Sequence, residues 1–384
     1  MNGSVEPLEH VFAFSGHRTA GLLPPSESVD EEARAALRQF SLERLMGYGV
    51  DHADAMELRG RVASGEEWRL TAAALASRLL DDPGGGIAPE GRVSRIGRLL
   101  RASALLRMSQ VMMTEDDDER RAIVARAAAL FAEAAELSGD RERVALDADG
   151  GTLVGWLQRA AGEPVGQVVV IGGIEGWAMD FAPMGCELAS RGLDVLLLDG
   201  PGQGESRLLR GHLLSASWER AYVDVFDWLV RRAPGLPIGM VGNSMGGAVA
   251  AHLAAADARM RACCDNGGSS RPGRPRPMNS FYRKMMAHVG ASDPEVAGEV
   301  WRTVQPVRED RPIPCPLLVV QGGLDPLVEM EDARRIASSA AGGDSRIVVF
   351  SDGDHCIYNH AADKHAIIGD WMRSRLAAAH SHDL

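Results

Sequence analysis

Gly242-Asn243-Ser244-Met245-Gly246 decides how this chain is read. The stretch follows a short apolar run, Ile238 to Val241, and precedes a helical run of small residues, Gly247 to Ala256. A G-x-S-x-G pattern between a strand and a helix describes a sharp turn that lifts the serine to the carboxyl edge of a sheet. Glycines flank it because side chains there would collide with the strand or the helix. The N–H of the next residue, Met245, then faces any oxyanion formed at the serine. In a chain with 43 glycines the five residues alone carry little weight, and the strand-to-helix context supplies the rest.

Outward from this turn, apolar strands alternate with helices. The runs Val168–Ile171, Val195–Leu198, Ile238–Val241, Arg261–Cys264, Leu317–Val320 and Ile347–Phe350 read as strands, and most end in glycine clusters. Met184–Ser190 and Ala216–Val230 read as helices between them. Such alternation predicts a mostly parallel sheet with helices on both faces, and its chemistry lies beyond the carboxyl ends of the strands. Arg143–Leu146 and Leu153–Leu157, around Asp149-Gly150-Gly151, predict an entering hairpin.

Upstream the periodicity is helical. Ala36-Leu37-Phe40-Leu42-Leu45-Met46 and Leu70-Leu75-Leu79 recur at helical spacing, Gly84-Gly85-Gly86 interrupts them, and Val93–Met113 resumes. A last helix is predicted to start near Thr114 as N-cap. Glu115 to Asp118 then lie in a solvated first turn, favourably placed against the dipole. The division expected is a helical unit over residues 1–139 and a catalytic α/β unit over 140–384, with an insert at 268–312.

A serine needs a base, and the base needs an orienting group. His355, in Gly353-Asp354-His355 after the last strand, is the candidate base. Asp325, in Gly322-Gly323-Leu324-Asp325-Pro326 after the preceding strand, is the candidate acid. His360 and His365 are rivals inside the predicted last helix, and Asp352 and Asp354 lie too near His355 in sequence to reach its far nitrogen. The order Ser, Asp, His is that of α/β-hydrolases. The second oxyanion donor is expected from Gly172-Gly173-Ile174-Glu175, at the Ile174 N–H. Glu175 and Trp177 are candidate substrate contacts, with loop support and core packing as their plainer roles. Gly200-Pro201-Gly202-Gln203-Gly204 reads as a structural turn, since no P-loop lysine accompanies it.

Composition narrows the function classes. A net charge of −12 gives a nucleic-acid role no support. No run reaches the roughly 20 apolar residues of a membrane span. Met1 to Phe14 carries no basic stretch before an apolar run and does not read as a signal peptide. Arginine supplies 39 of the 41 basic residues, Lys284 and Lys364 being the two lysines. The five cysteines show no metal-ligand spacing, Cys263-Cys264 read as buried strand residues, and a reducing cytoplasm is expected. Neither cofactor nor metal is called for.

Taken together the residues resemble α/β-hydrolases with an N-terminal helical cap, the group of 2,6-dihydropseudooxynicotine hydrolase, the fungal polyketide-shortening hydrolases and FrsA-like proteins. The resemblance is carried by Ile171-Gly172-Gly173-Ile174-Glu175, Asp199-Gly200-Pro201-Gly202-Gln203-Gly204-Glu205, Asn243-Ser244-Met245-Gly246-Gly247, Gly322–Asp325 and Gly353-Asp354-His355-Cys356, and Gly49–Trp68 looks like the family's cap. It implies Ser244 as nucleophile with Asp325 and His355 as partners, a pocket between cap and core, and often a homodimer. It also implies a small-molecule substrate from secondary metabolism or catabolism, cleaved at a C–C bond of β-dicarbonyl type or at an ester. An acyltransferase or cyclase would use the same triad, and a non-catalytic binding protein would normally have lost one of its members.

One departure stands out. Carbon–carbon cleaving relatives have an acidic residue in the insert after the strand following the elbow, and here no Asp or Glu lies between Asp265 and Asp293. Arg271, Arg274, Arg276, Arg283 and Lys284 stand there instead. They suggest an anionic or carrier-bound substrate, with a solvated arginine-rich loop as the plainer reading. Glu175 is then the substitute carboxyl for protonating a departing carbanion.

Overall fold

Capping side chains and apolar stripes set the helices of the first third. The structure, a computed structural model, describes residues 29–81, 89–272, 280–341 and 344–382. Helices α1 (Glu31–Gln39), α2 (Leu42–Gly47) and α3 (His52–Ala63) start at Asp30, Ser41 and Asp51, whose side chains accept N–H groups left free in each first turn. Helices α4 (Trp68–Asp81), α5 (Arg92–Gln110) and α6 (Asp118–Ser138) follow. Phe40, Leu45, Leu58, Leu75 and Leu105 are buried in their shared core, whereas Leu70 and Met46 are exposed. The α6 cap is Asp117 rather than Thr114, its Oδ1 accepting the Arg120 N–H at 2.8 Å. Gly139 ends the helix at φ 72°, the left-handed geometry a terminal glycine takes easily. The Gly84-Gly85-Gly86 break lies outside the described residues.

The rest is one eight-stranded sheet in the order β1-β2-β4-β3-β5-β6-β7-β8. The strands are β1 (Arg141–Ala148), β2 (Gly151–Gln158), β3 (Gly166–Ile171), β4 (Leu193–Asp199), β5 (Ile238–Asn243), β6 (Met260–Asn266), β7 (Leu317–Gly322) and β8 (Ser345–Phe350). All pairs are parallel except β1–β2 and β2–β4. Strands β3, β4, β5 and β7 are buried throughout, as the unbroken apolar runs require of strands covered on both faces. The helices are α7 (Ala182–Ser190), α8 (Gly204–Leu208), α9 (Trp218–Arg232), α10 (Met245–Ala256), α11 (Ser280–Val289), α12 (Pro294–Trp301), α13 (Met330–Ser338) and α14 (Ala361–His382). Cys263 and Cys264 are fully buried in β6.

The helical third is continuous with the sheet layer. Phe131 of α6 packs edge-to-face on Trp156 of β2, ring centres 4.7 Å apart, inside a cluster that includes Val168 and Val195. Cys356 and Tyr358, from the loop after β8, are buried in the core of the first helices. No described helix is long and apolar enough to cross a membrane.

Candidate active site

Three loop ends meet at the carboxyl edge of the sheet. Ser244, between β5 and α10, has φ 55° and ψ −127°, a conformation a side chain adopts only under constraint. The constraint is backbone packing. A Cβ on Gly242 would lie 2.0 Å from the Gly246 oxygen, and one on Gly246 would lie 2.3 Å from the Gly172 oxygen. The Ser244 N–H donates to the Asn266 carbonyl at 2.8 Å and ties the turn to β6.

His355 Nε2 lies 2.8 Å from Ser244 Oγ, and His355 Nδ1 lies 2.8 Å from Asp325 Oδ2. The Asp325 side chain is fully buried, and its Oδ1 accepts the N–H groups of Leu327 (2.8 Å) and Val328 (3.0 Å). The carboxylate therefore cannot swing away from the ring. Burial opposes charge on His355, but the neighbouring Cys356 sulfur and the Asp325 carboxylate outweigh it, so its pKa is raised. Of the rivals, His360 pairs with Asp352 at 2.9 Å, His365 is buried in α14, and Asp354 caps the turn by accepting the Tyr358 N–H.

The two predicted oxyanion donors flank the serine. Met245 is the first residue of α10, where the N–H has no partner inside the helix. Ile174 follows Gly172-Gly173, and a Cβ on Gly173 would sit 2.8 Å from the Ser244 Cβ, so only glycine admits so close a loop. Two buried side chains hold that loop from behind. Gln203 Nε2 donates to the carbonyls of Gly172 (2.7 Å) and Gly173 (2.9 Å). His288 Nε2 lies 3.1 Å from the Ile174 carbonyl. Burial, with Arg207 nearby, keeps the His288 ring well below its usual pKa and therefore neutral. The Gly200–Gly204 turn is thus structural with a stated task, and His288 is a support that sequence reasoning missed.

The remaining candidates divide. Glu175 lines the cavity, but its carboxylate is committed to Lys284, Gln39 and Arg44, the last at 3.2 Å. Burial works against its charge, yet Lys284 and Arg44 overcome this and hold the carboxyl below the usual range. A carboxylate so held is a poor proton donor, which removes the physical basis for Glu175 as a substitute acid. Trp177 is buried with Val124 and Leu208, the Arg120 and Arg207 guanidinium groups each 5.8 Å from its ring, and is not among the residues lining the cavity. Its backbone N–H is fixed by Asp180, and its side chain is buried in the core. The acidic run is also less solvated than expected, since Asp116 pairs with both Arg120 and Arg207. In the insert, Lys284 is buried, Arg271 lines the cavity, and Arg274 and Arg276 lie outside the described residues.

The cavity measures about 730 Å³ and lies between the first helices and the sheet edge. Ser244, His355, Ile174 and Met245 line it, together with α1–α2 residues such as Gln39, Arg44 and Tyr48. No group of three or more side chains suited to a metal occurs among the described residues.

Comparison with known proteins agrees with this architecture. A family model described as serine aminopeptidase, S33, matches residues 162–267, which span β3 to the end of β6. Fold, strand order and this match make the chain an α/β-hydrolase, and a hydrolase by superfamily. Within the superfamily it is similar to 2,6-dihydropseudooxynicotine hydrolase from Paenarthrobacter nicotinovorans, 27% identical over 290 residues, which cover 73% of this chain and 77% of the relative. The crystal structure of a 2,6-dihydroxy-pseudo-oxynicotine hydrolase superposes with a TM-score of 0.76 at 25% identity, covering 88% of this chain and 97% of the other. AbyA5 shares the fold at a TM-score of 0.60 and 18% identity, over 81% of this chain and 97% of its own.

Proposed function

We propose that this chain is a serine hydrolase that works through an acyl-enzyme on a small carbonyl compound, at an ester, thioester or β-dicarbonyl C–C bond. The observation that carries the reading is the unbroken line from Ser244 Oγ through His355 to Asp325, 2.8 Å at each step, opening on a cavity of about 730 Å³. Ser244 attacks the carbonyl while His355 takes its proton, and Asp325 stabilises the resulting imidazolium. The N–H groups of Ile174 and Met245 receive the oxyanion. The imidazolium then protonates the leaving group, and water, activated by the same ring, releases the acyl group. The likeness to a hydrolase of a small metabolite supports such a substrate, in secondary metabolism or catabolism.

On this reading the first helices act as a cap that selects the substrate, and the working form is a cytoplasmic homodimer, which light scattering tests by mass. The decisive variant is Ser244→Ala. Its kcat on a p-nitrophenyl ester is expected to fall by about 10³- to 10⁶-fold with an unchanged circular dichroism spectrum. A loss below tenfold would leave Ser244 without the role assigned to it.

A further inference from the structure

The lining of the cavity includes a phenol whose proton has no taker among the described residues. Tyr48, at the end of α2, and Tyr358, three residues after His355, both line the cavity and are buried. The Tyr358 hydroxyl donates to the Tyr48 oxygen at 3.0 Å. Arg44 donates to the same oxygen through Nε at 3.3 Å and Nη2 at 3.1 Å. The Tyr48 oxygen is therefore saturated as an acceptor, and among the described residues no acceptor is found for its own O–H. A buried donor without a partner costs about 1–3 kcal/mol, so such a group is retained where a ligand completes it.

Its position is fixed from three sides. The Tyr48 hydroxyl abuts Gly176 in the loop that carries Ile174, where a Cβ would lie 2.8 Å from it. Cys356 and Ile357 adopt φ 60° and 55°, two successive left-handed residues that turn the chain sharply between His355 and Tyr358. Lys364 pins that turn by donating to the Cys356 carbonyl at 2.8 Å. The phenol pair thus sits between the oxyanion loop and the base. Burial raises the Tyr48 pKa to about 12, despite the opposing pull of Arg44, so the group stays protonated at neutral pH.

We propose that Tyr48, oriented by Arg44 and Tyr358, donates a hydrogen bond to a second oxygen of the substrate, the carbonyl on the leaving side of the scissile bond, which selects β-dicarbonyl compounds. This rests on the serine-hydrolase reading above. The bond between Ser244 Oγ and the attacked carbon forms, and the C–C bond breaks. Its electron pair passes onto the leaving-side oxygen as an enolate, which the Tyr48 O–H stabilises without giving up its proton. The proton that quenches the enolate is the one His355 took from Ser244, so no additional acid is consumed. Water hydrolyses the acyl-enzyme and returns a proton to Ser244 through His355. The missing carboxyl in the insert and the ion-paired Glu175 then cease to be obstacles.

The test compares benzoylacetone with p-nitrophenyl acetate in wild-type protein, Tyr48→Phe and Tyr358→Phe. Tyr48→Phe is expected to lower kcat/KM for benzoylacetone by about 10²-fold, the usual loss for one donor to a developing oxyanion. That loss should exceed the loss on the ester by tenfold or more. Tyr358→Phe leaves the Tyr48 proton in place and should lose at least fivefold less on benzoylacetone than Tyr48→Phe. Losses that differ by less than tenfold between the two substrates, or matching losses in the two variants, would mark the pair as merely structural and overturn the proposal. A wild-type protein that turns over the ester through Ser244 but never a β-dicarbonyl compound also overturns it, while the serine-hydrolase reading stands. Absence of any Ser244-dependent turnover would instead remove that reading.

Discussion

Asp325 does two things for one histidine: it fixes the tautomer that leaves Nε2 free for Ser244, and it favours the charged ring. The triad needs a neutral imidazole, and its pKa is raised, so kcat/KM should climb with pH through a limb above the ordinary histidine value of about 6.5. Asp325→Asn removes the charge that favours the imidazolium, so the limb should move to lower pH while kcat falls by about 10⁴-fold. A pH–rate profile with an unmoved limb would contradict this coupling. The meeting of Ser244, His355 and Asp325 was legible in sequence because each follows a strand in a fixed order. Tyr48, Arg44 and Tyr358 were not legible, since they meet only when α2 packs against a loop some 310 residues away, and no local pattern encodes that. The two lysines share a feature that composition hides: both are buried, Lys284 on Glu175 and Lys364 on the Cys356 carbonyl.

Among the elements, the loop after β3 depends most on what lies behind it. Gln203 spans two of its carbonyls, and a leucine of similar length would release both and leave them without a donor. Gln203→Leu is therefore expected to lower kcat by about 10- to 10²-fold with a smaller change in KM, because a displacement of about 1 Å in an oxyanion donor is felt in the transition state more than in the ground state. Steady-state kinetics on a p-nitrophenyl ester would show it, and a rise in KM alone would point to substrate contact instead. The strands were readable from their apolar runs and the glycine turns beside them, all eight appearing where those runs predicted them. The start of α6 was misread because Thr114 and Asp117 are both acceptable caps, and only Asp117 has the helix N–H within reach. Leu70 kept helical spacing yet faces solvent, since periodicity marks a stripe but not which side of it is covered.

At the scale of the whole molecule, the first helices are held to the sheet by more than apolar contact. Arg107 of α5 pairs with Asp180 at 2.6 Å and donates to the Tyr48 carbonyl at 2.8 Å, both acid and base being buried. Breaking one side of a buried pair costs about 3–5 kcal/mol, because the other charge is left unpaired. Arg107→Met should lower the free energy of urea unfolding by that order, and a change under 1 kcal/mol would mean the two layers are joined by apolar packing alone. The helical third was visible in sequence as periodicity, but its fusion with the sheet through Phe131, Trp156 and Tyr358 depends on long-range packing. The proposed chemistry turns on one atom, Ser244 Oγ. Treating the intact protein with a fluorophosphonate and mapping the adduct by peptide mass spectrometry tests it most directly. One adduct per chain is expected, on Ser244, formed much more slowly in Asp325→Asn. An unlabelled chain, or an adduct on any other residue, would contradict it.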